Sequence, residues 1–252
     1  MLRSLRRPKT TTNPLFYPER VRSLLGHDEE RLQRALEDPR SLDLLTWNVF
    51  ESMDTDPDRA YLASLLEPLA GSDLRPPVRI ILWTGRHREP LLRPSTEYVR
   101  HLRARVDNAA GLDEFTAPIE APVRIESPEL LVLVDTMLDA VPPGRGGRDR
   151  VIELVDAGLT HARYLGKALV VAYVYRSGSD GSARMSAKLN SLRDPDRLAA
   201  ALPWRQQVPA VRFREVSWQQ LLRSWERERE HFKLFGQPVR DFLQHTERLG
   251  LR

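Results

Sequence analysis

The sequence of 252 residues predicts an α/β protein in which helices flank a mixed central sheet and a helical extension follows at the C-terminus. Residues 168–175 are apolar on both faces, as expected of a central strand covered by helices on each side. Residues 119–137 have the pattern of a β-hairpin, with two strands around a tight turn. Residues 149–165 carry apolar side chains at helical spacing, which predicts a helix between the hairpin and the central strand.

The chain divides into three predicted parts, which are residues 1–20, 21–216 and 217–252. The first part is a flexible basic arm that contains Arg3, Arg6 and Arg7. Such an arm can lie along a nucleic-acid backbone, or it can be a simple disordered terminus. The second part is the α/β domain, and the third is a helical extension packed on it.

Capping and breaking residues indicate the elements that precede the hairpin. Asp28 caps a short helix over residues 28–37, and Asp56-Pro57 begins a helix that Gly71 ends. The segment 43–53 fits a buried helix or a buried strand equally well, because periodicity cannot distinguish them over so short a run. A strand over residues 78–83 and an arginine-rich helix over residues 95–106 follow, the latter with Arg100, Arg103 and Arg105 exposed.

The hairpin consists of the strand Val123–Glu126, a turn, and the strand Leu130–Val134, which ends on Asp135. Asp149 caps the next helix and Gly166 ends it. After the central strand, residues 192–205 are predicted to be helical or irregular, and residues 210–216 alternate as a half-buried strand does. A capping box at 217–220 begins a helix with Trp218, Leu221, Leu222 and Trp225 at core spacing, and Pro238 begins a last helix with Val239, Phe242, Leu243 and Leu249 inward.

Composition limits the classes of function. There are no cysteines, so disulfides, thiolate metal sites and cysteine nucleophiles are excluded, and a cytoplasmic location is expected. No apolar run approaches the roughly 20 residues that span a bilayer. The basic N-terminus has no apolar segment behind it, so we expect neither a secretion signal nor a membrane partner.

The basic residues are unusually biased towards arginine. Four of the 39 basic residues are lysine, so 35 are arginine. A GC-rich genome that favours arginine codons explains this bias, and so does phosphate binding, for which the planar guanidinium is suited. The candidate nucleic-acid-binding residues are Arg3, Arg6, Arg7, Arg86, Arg88, Arg145 and Arg148.

The hairpin occurs together with three further motifs, namely Leu45-Thr-Trp-Asn-Val-Phe50, Arg148–Gly158 and Val216-Ser-Trp-Gln-Gln-Leu221. In their order and spacing they resemble a bacterial branch of the restriction-endonuclease-like superfamily, also called PD-(D/E)xK. The resemblance covers about two thirds of the chain and implies that fold. In the superfamily an Asp opens the first hairpin strand, and Glu-x-Lys or Asp-x-Lys ends the second. The matching positions here carry Pro122, Asp135 and Met137, so the resemblance implies a degenerate catalytic site.

The resemblance implies that any remaining catalytic site is built on Asp135, with Glu120 and Lys167 as its nearest substitutes for the missing groups. Asp135 and Glu120 would be the ligands of Mg²⁺ or Mn²⁺, with Glu126 or Glu153 as further carboxylates. If the site is inactive, no cofactor is needed. Asp135 then caps the next segment or pairs with an arginine such as Arg148.

Three functions are consistent with this interpretation. The first is a noncatalytic nuclease-like protein that binds nucleic acid or a partner protein, as a subunit of a bacterial defence or DNA-processing assembly. The second is an active metal-dependent nuclease with a rearranged site. The third is a protein-interaction subunit whose helices at 217–249 dock on a partner through exposed Trp225 or Phe242, so that truncation after Glu215 would leave the core folded.

Overall fold

The computed structural model describes residues 13–25, 28–54, 62–71, 74–83, 91–105, 115–139, 148–231 and 236–252. These ranges contain ten helices and five strands. The helices are α1 Pro18–Leu25, α2 Glu29–Glu37, α3 Leu42–Asp54, α4 Leu62–Ala70, α5 Thr96–Arg103, α6 Arg150–Leu165, α7 Asp180–Leu192, α8 Pro195–Ala201, α9 Trp218–His231 and α10 Gln237–Arg248. The strands are β1 Arg79–Leu82, β2 Val123–Glu126, β3 Leu130–Thr136, β4 Ala168–Tyr175 and β5 Val211–Ser217. Predicted residues outside these ranges are Arg3, Arg6, Arg7, Asp56, Pro57, Arg86, Arg88 and Arg145.

The five strands form one sheet in the order of the chain. The pairings of β1 with β2 and of β2 with β3 are antiparallel, whereas those of β3 with β4 and of β4 with β5 are parallel. The register places Val123 opposite Val134 and Asp135 beside Tyr173. The predicted α/β class with a mixed central sheet is therefore confirmed.

Two apolar layers lie on opposite faces of this sheet. Val132 and Val134 of β3 point into the first layer, which also contains side chains from α1, α3, α4, α9 and α10. Leu131 and Leu133 point into the second layer, which contains side chains of α6, α7 and α8. Because β3 and β4 are covered on both faces, their sequences are apolar throughout rather than alternating.

Helix α6 crosses the second layer and connects β3 to β4. It begins where the Asp149 carboxylate accepts hydrogen bonds from the N–H groups of Val151 and Ile152, and it ends at Gly166, whose φ is +67°. At Gly158 a Cβ atom would lie 2.8 Å from Leu133 Cδ1, so glycine permits the close approach of helix and sheet. The predicted caps at Asp149 and Gly166 are confirmed.

The segment that fitted a helix or a strand equally well is helix α3. Ten consecutive residues, 44–53, are buried, so this helix is covered on every side. A helix with no exposed face has no amphipathic period, which explains why the sequence pattern did not distinguish the two structures. Residues 192–205 contain the end of α7, the short helix α8 and an irregular segment, which agrees with the mixed prediction.

The C-terminal helices contribute their apolar side chains to the first layer. Trp225 and Phe242 have no exposed surface, and Trp225 Nε1 donates to the Ser52 hydroxyl at 3.0 Å. The indole N–H of Trp218 donates to the carbonyl of Met137 at 3.1 Å. Trp225 and Phe242 therefore complete the core of this chain, as their core spacing predicts, and do not form the exposed patch that would support the docking hypothesis.

Within the described ranges, none of the helices is long and apolar enough to cross a membrane.

Candidate functional site

The candidate site lies where β3 ends. Asp135 is 3% exposed, and its carboxylate accepts a hydrogen bond from Arg150 Nε at 3.0 Å. Arg150, the first residue of α6, also donates through Nη2 to the main-chain carbonyl of Glu120. One guanidinium thus joins the end of β3 to the segment that leads into β2.

The charges at this position are mutually compensated. Burial lowers the pKa of Arg150, but the neighbouring Asp135 carboxylate outweighs it, so that the pKa is raised overall. The pKa of the adjacent Tyr173 hydroxyl is raised, mainly by burial and secondly by the negative charge of Asp135. The Arg150 guanidinium is therefore charged and lies near a neutral phenol.

Glu120 does not face Asp135. Its carboxylate accepts from Arg31 Nη1 at 2.8 Å, and Arg31 also holds Asp43 through two hydrogen bonds of 2.8 and 2.9 Å. Ile119 and Ala121, on either side of Glu120, point into the second apolar layer. Alternation along this extended segment turns Glu120 away from the layer that Asp135 faces.

Trp83 supports the cluster around Arg31. Its φ of +54° is unusual for a residue with a side chain and costs roughly 1–2 kcal/mol. This conformation places the indole 5.4 Å from the Arg31 guanidinium and lets Nε1 donate to Asp43 at 3.1 Å. The ring also stacks on Trp47, with 5.8 Å between the ring centroids. These contacts fix the arginine that binds Glu120.

Lys167 lies at the opposite end of the parallel strands. It precedes β4 and forms an ion pair of 3.4 Å with Glu126, which also pairs with Arg124 at 3.2 Å. Because Asp135 lies beside Tyr173, six residues further along β4, about 20 Å separates the two ends. The structure therefore does not bring Lys167 or Glu126 to Asp135.

Arg148 and Glu153 form a separate buried pair. Arg148 Nε lies 2.9 Å from Glu153 Oε1, with exposed side-chain fractions of 12% and 3%. The Arg148 guanidinium also lies 5.5 Å from the centre of the Phe115 ring. The ion pair with Glu153 already engages this guanidinium inside the fold, so the prediction that Arg148 binds phosphate gains no support from these contacts. Glu153 is likewise not the exposed helix residue that its sequence suggests.

Sequence reasoning missed Arg150 as the partner of Asp135 and gave Arg148 as its example. The missed signal is topological: a helix that connects parallel strands begins near the C-terminal end of the first strand, so the start of α6 must lie close to Asp135. Asp149 fixes which arginine points inward, because it caps the helix and leaves Arg150 as the first helical residue.

A second titratable cluster lies around His161, which is 7% exposed. Burial, then the positive charge of Arg124, lower the pKa of His161 against the opposing effect of Glu126. Because the folded state binds this proton more weakly than the unfolded state, stability is expected to fall as pH drops below about 6.5. His161→Gln should reduce this loss when urea unfolding is compared at pH 7 and pH 5, and an equal loss in the variant would contradict this role of His161.

The residues at the end of the hairpin do not fit a divalent metal. Such an ion requires several oxygen ligands, whereas Asp135 is held by Arg150, and Pro122 and Met137 offer no side-chain oxygen. The part of the chain that the structure describes contains no group of three or more His, Cys, Asp or Glu arranged to hold a metal. Comparisons with protein-family models, with curated proteins and with solved structures found no match to this chain.

Proposed function

We propose that this chain has a restriction-endonuclease-like fold and acts as a noncatalytic protein that binds nucleic acid. Support for the fold comes from the order of elements, in which an antiparallel hairpin leads into a parallel strand pair connected by α6. Support for a binding role comes from the 35 arginines, many of which are exposed on the described surface. Support for a role without catalysis comes from the ion pair between Asp135 and Arg150.

The observation that carries the proposal is the ion pair between Asp135 and Arg150. An arginine side chain stays protonated at any physiological pH, so its charge is permanent. A metal ion would have to displace this guanidinium from a carboxylate that is 3% exposed, and the described residues contain no group of three or more His, Cys, Asp or Glu placed to hold one. The tethered cation therefore neutralises Asp135 in the place of a metal.

The two other functions have less support. A rearranged nuclease site needs Glu120 and Lys167 near Asp135, but Glu120 binds Arg31 and Lys167 lies at the other end of the sheet. A pure docking role for the C-terminal helices needs an exposed apolar face. The apolar side chains of α9 and α10 are instead buried against the sheet.

The test is calorimetric titration of Mn²⁺ into the purified protein, with Asp135→Ala as the control. We expect no stoichiometric binding to either protein. Arg150→Gln removes the tethered cation but keeps the carboxylate, so binding that appears only in this variant would identify the guanidinium as the excluding group. Stoichiometric binding to the wild-type protein that Asp135→Ala abolishes, together with cleavage of nucleic acid, would overturn the proposal.

A further inference from the structure

Helix α5 is joined to α6 through hydrogen bonds to Asp156. The carboxylate of Asp156, on α6, accepts from the Ser95 N–H at 2.7 Å and from the Ser95 hydroxyl at 2.9 Å. Ser95 is also the N-cap of α5, since its hydroxyl accepts from the Tyr98 N–H at 3.0 Å. Tyr98 and Val99 are buried on the inner side of the helix. The orientation of α5 is therefore fixed, and its opposite side faces outward.

The outward side of α5 is strongly basic. Arg100 and Arg103 are exposed and three residues apart, which places them next to each other on a helix, and Arg105 is exposed just beyond the C-terminal end. We call these three residues the α5 arginine face. Residues 91–105 contain one further arginine, Arg93, which is also exposed, and Glu97 is the only acidic residue among them.

The charges of this face differ from those of the arginines in the interior. Arg31, Arg148 and Arg150 are each neutralised by a carboxylate inside the fold. By contrast, none of the three arginines of the α5 arginine face forms an ion pair with any carboxylate in the described ranges. Within the part of the chain that the structure describes, no carboxylate neutralises them, and their exposed guanidinium groups can contact an anion from outside the molecule.

The chemistry of the face favours a phosphate polymer. The exposed residues of α5 and its C-cap are Thr96, Glu97, Arg100, Arg103 and Ala104, which include no large apolar side chain for a protein core or a lipid interior. The guanidinium group forms paired hydrogen bonds with phosphate oxygens. The neighbouring His101 adds no charge near neutral pH, because burial and then Arg105 lower its pKa. The positive charge is therefore that of arginine.

We propose that the α5 arginine face binds the phosphodiester backbone of nucleic acid. This inference rests on the proposed nucleic-acid-binding function and assigns it a surface. Backbone contacts bind without regard to base sequence and release counter-ions, so the affinity depends steeply on salt. Arginines near the end of a helix also interact favourably with its dipole, which is the other role that this charge could have.

The test compares two triple variants with equal changes in net charge. One is Arg100→Gln/Arg103→Gln/Arg105→Gln. The matched control is Arg223→Gln/Arg227→Gln/Arg248→Gln, three exposed arginines on α9 and α10, which pack on the other face of the sheet. Fluorescence anisotropy with labelled mixed-sequence duplex DNA, single-stranded DNA and single-stranded RNA gives the affinity over a series of salt concentrations. Thermal unfolding of each variant checks that the fold is retained.

The α5 variant should bind at least about tenfold more weakly than the control variant at physiological salt. The logarithm of the affinity falls with the logarithm of the salt concentration, and this dependence should be less steep for the α5 variant. On duplex DNA the slope should decrease in magnitude by about 0.9 for each phosphate that the variant no longer neutralises, and on single strands by about 0.7. The probe whose affinity falls furthest identifies the strandedness of the ligand.

Equal affinity of the two variants would overturn the inference while leaving the proposed function intact. Absence of binding by the wild-type protein to every probe at low salt would remove the proposed function and this inference together. Binding to anionic phosphatidylserine vesicles that depends on the same three arginines, without nucleic-acid binding, would overturn both in favour of a lipid surface. A lower melting temperature of the α5 variant with unchanged affinity would assign the arginines to the helix dipole.

Discussion

Asp156→Ala is expected to lower the free energy of unfolding by about 3–5 kcal/mol, because it removes one partner of a buried ion pair. Asp156 has no exposed surface, and its carboxylate accepts four hydrogen bonds. Besides the two from Ser95, these come from Trp204 Nε1 at 2.9 Å and from Arg205 Nε at 2.8 Å. The substitution leaves the Arg205 side chain, which is 14% exposed, without its carboxylate and detaches the start of α5 from α6.

Urea unfolding measures this effect. The free energy of unfolding of Asp156→Asn should lie between those of the wild-type protein and Asp156→Ala. The amide keeps one hydrogen-bond acceptor, but its NH₂ group faces a neighbouring donor. Asp196→Ala, at an exposed position on α8, is the control and should change stability by less than about 1 kcal/mol. A decrease of less than about 1 kcal/mol for Asp156→Ala would contradict the role assigned to this carboxylate.

Removal of α9 and α10 is expected to abolish cooperative folding. Among the described residues, ending the chain at Ser217 deletes eight buried apolar side chains and uncovers the sheet face beneath them. At about 1.5–3 kcal/mol each, their burial contributes roughly 12–24 kcal/mol, which matches or exceeds the total stability of about 5–15 kcal/mol for a typical domain. The eight buried apolar side chains are those of Trp218, Leu221, Leu222, Trp225, Val239, Phe242, Leu243 and Leu251.

Circular dichroism during heating tests the truncated chain. We expect no cooperative transition and strong binding of an apolar dye. Trp225→Ala is the milder version and should cost about 3–5 kcal/mol, whereas Arg223→Ala, on the exposed side of the same helix, should cost little. A truncated chain that unfolds cooperatively would show that the helices are a separable docking element after all.

Elements with two agreeing local signals were predicted well from the sequence. The hairpin combined apolar strands with a turn, and α6 combined a capping Asp149 with a terminating Gly166. Ser217, which accepts from the Gln220 N–H at 3.0 Å, marked the start of α9 in the same way. Capping is a local interaction, so the sequence alone specifies it.

The site was predicted less well because its interactions are not local. Asp135 was identified, but its partner depends on which side chain of the following helix turns inward. Glu120 pairs with Arg31, which lies 89 residues away in the chain, and no spacing rule connects two such positions. The buried carboxylate of Asp156 was not singled out, because an aspartate within a helix has no distinguishing pattern until its partners are known.

The order in which the first apolar layer is assembled has a consequence for synthesis of the chain on the ribosome. Val132 and Val134 emerge about 90 residues before Trp225, which completes their layer. At a synthesis rate of roughly 5–20 residues per second, the apolar surface of β3 stays incompletely covered for roughly 5–20 s. The nascent chain is therefore expected to need a chaperone during this interval, and slow codons placed after β5 should lengthen the wait and increase aggregation.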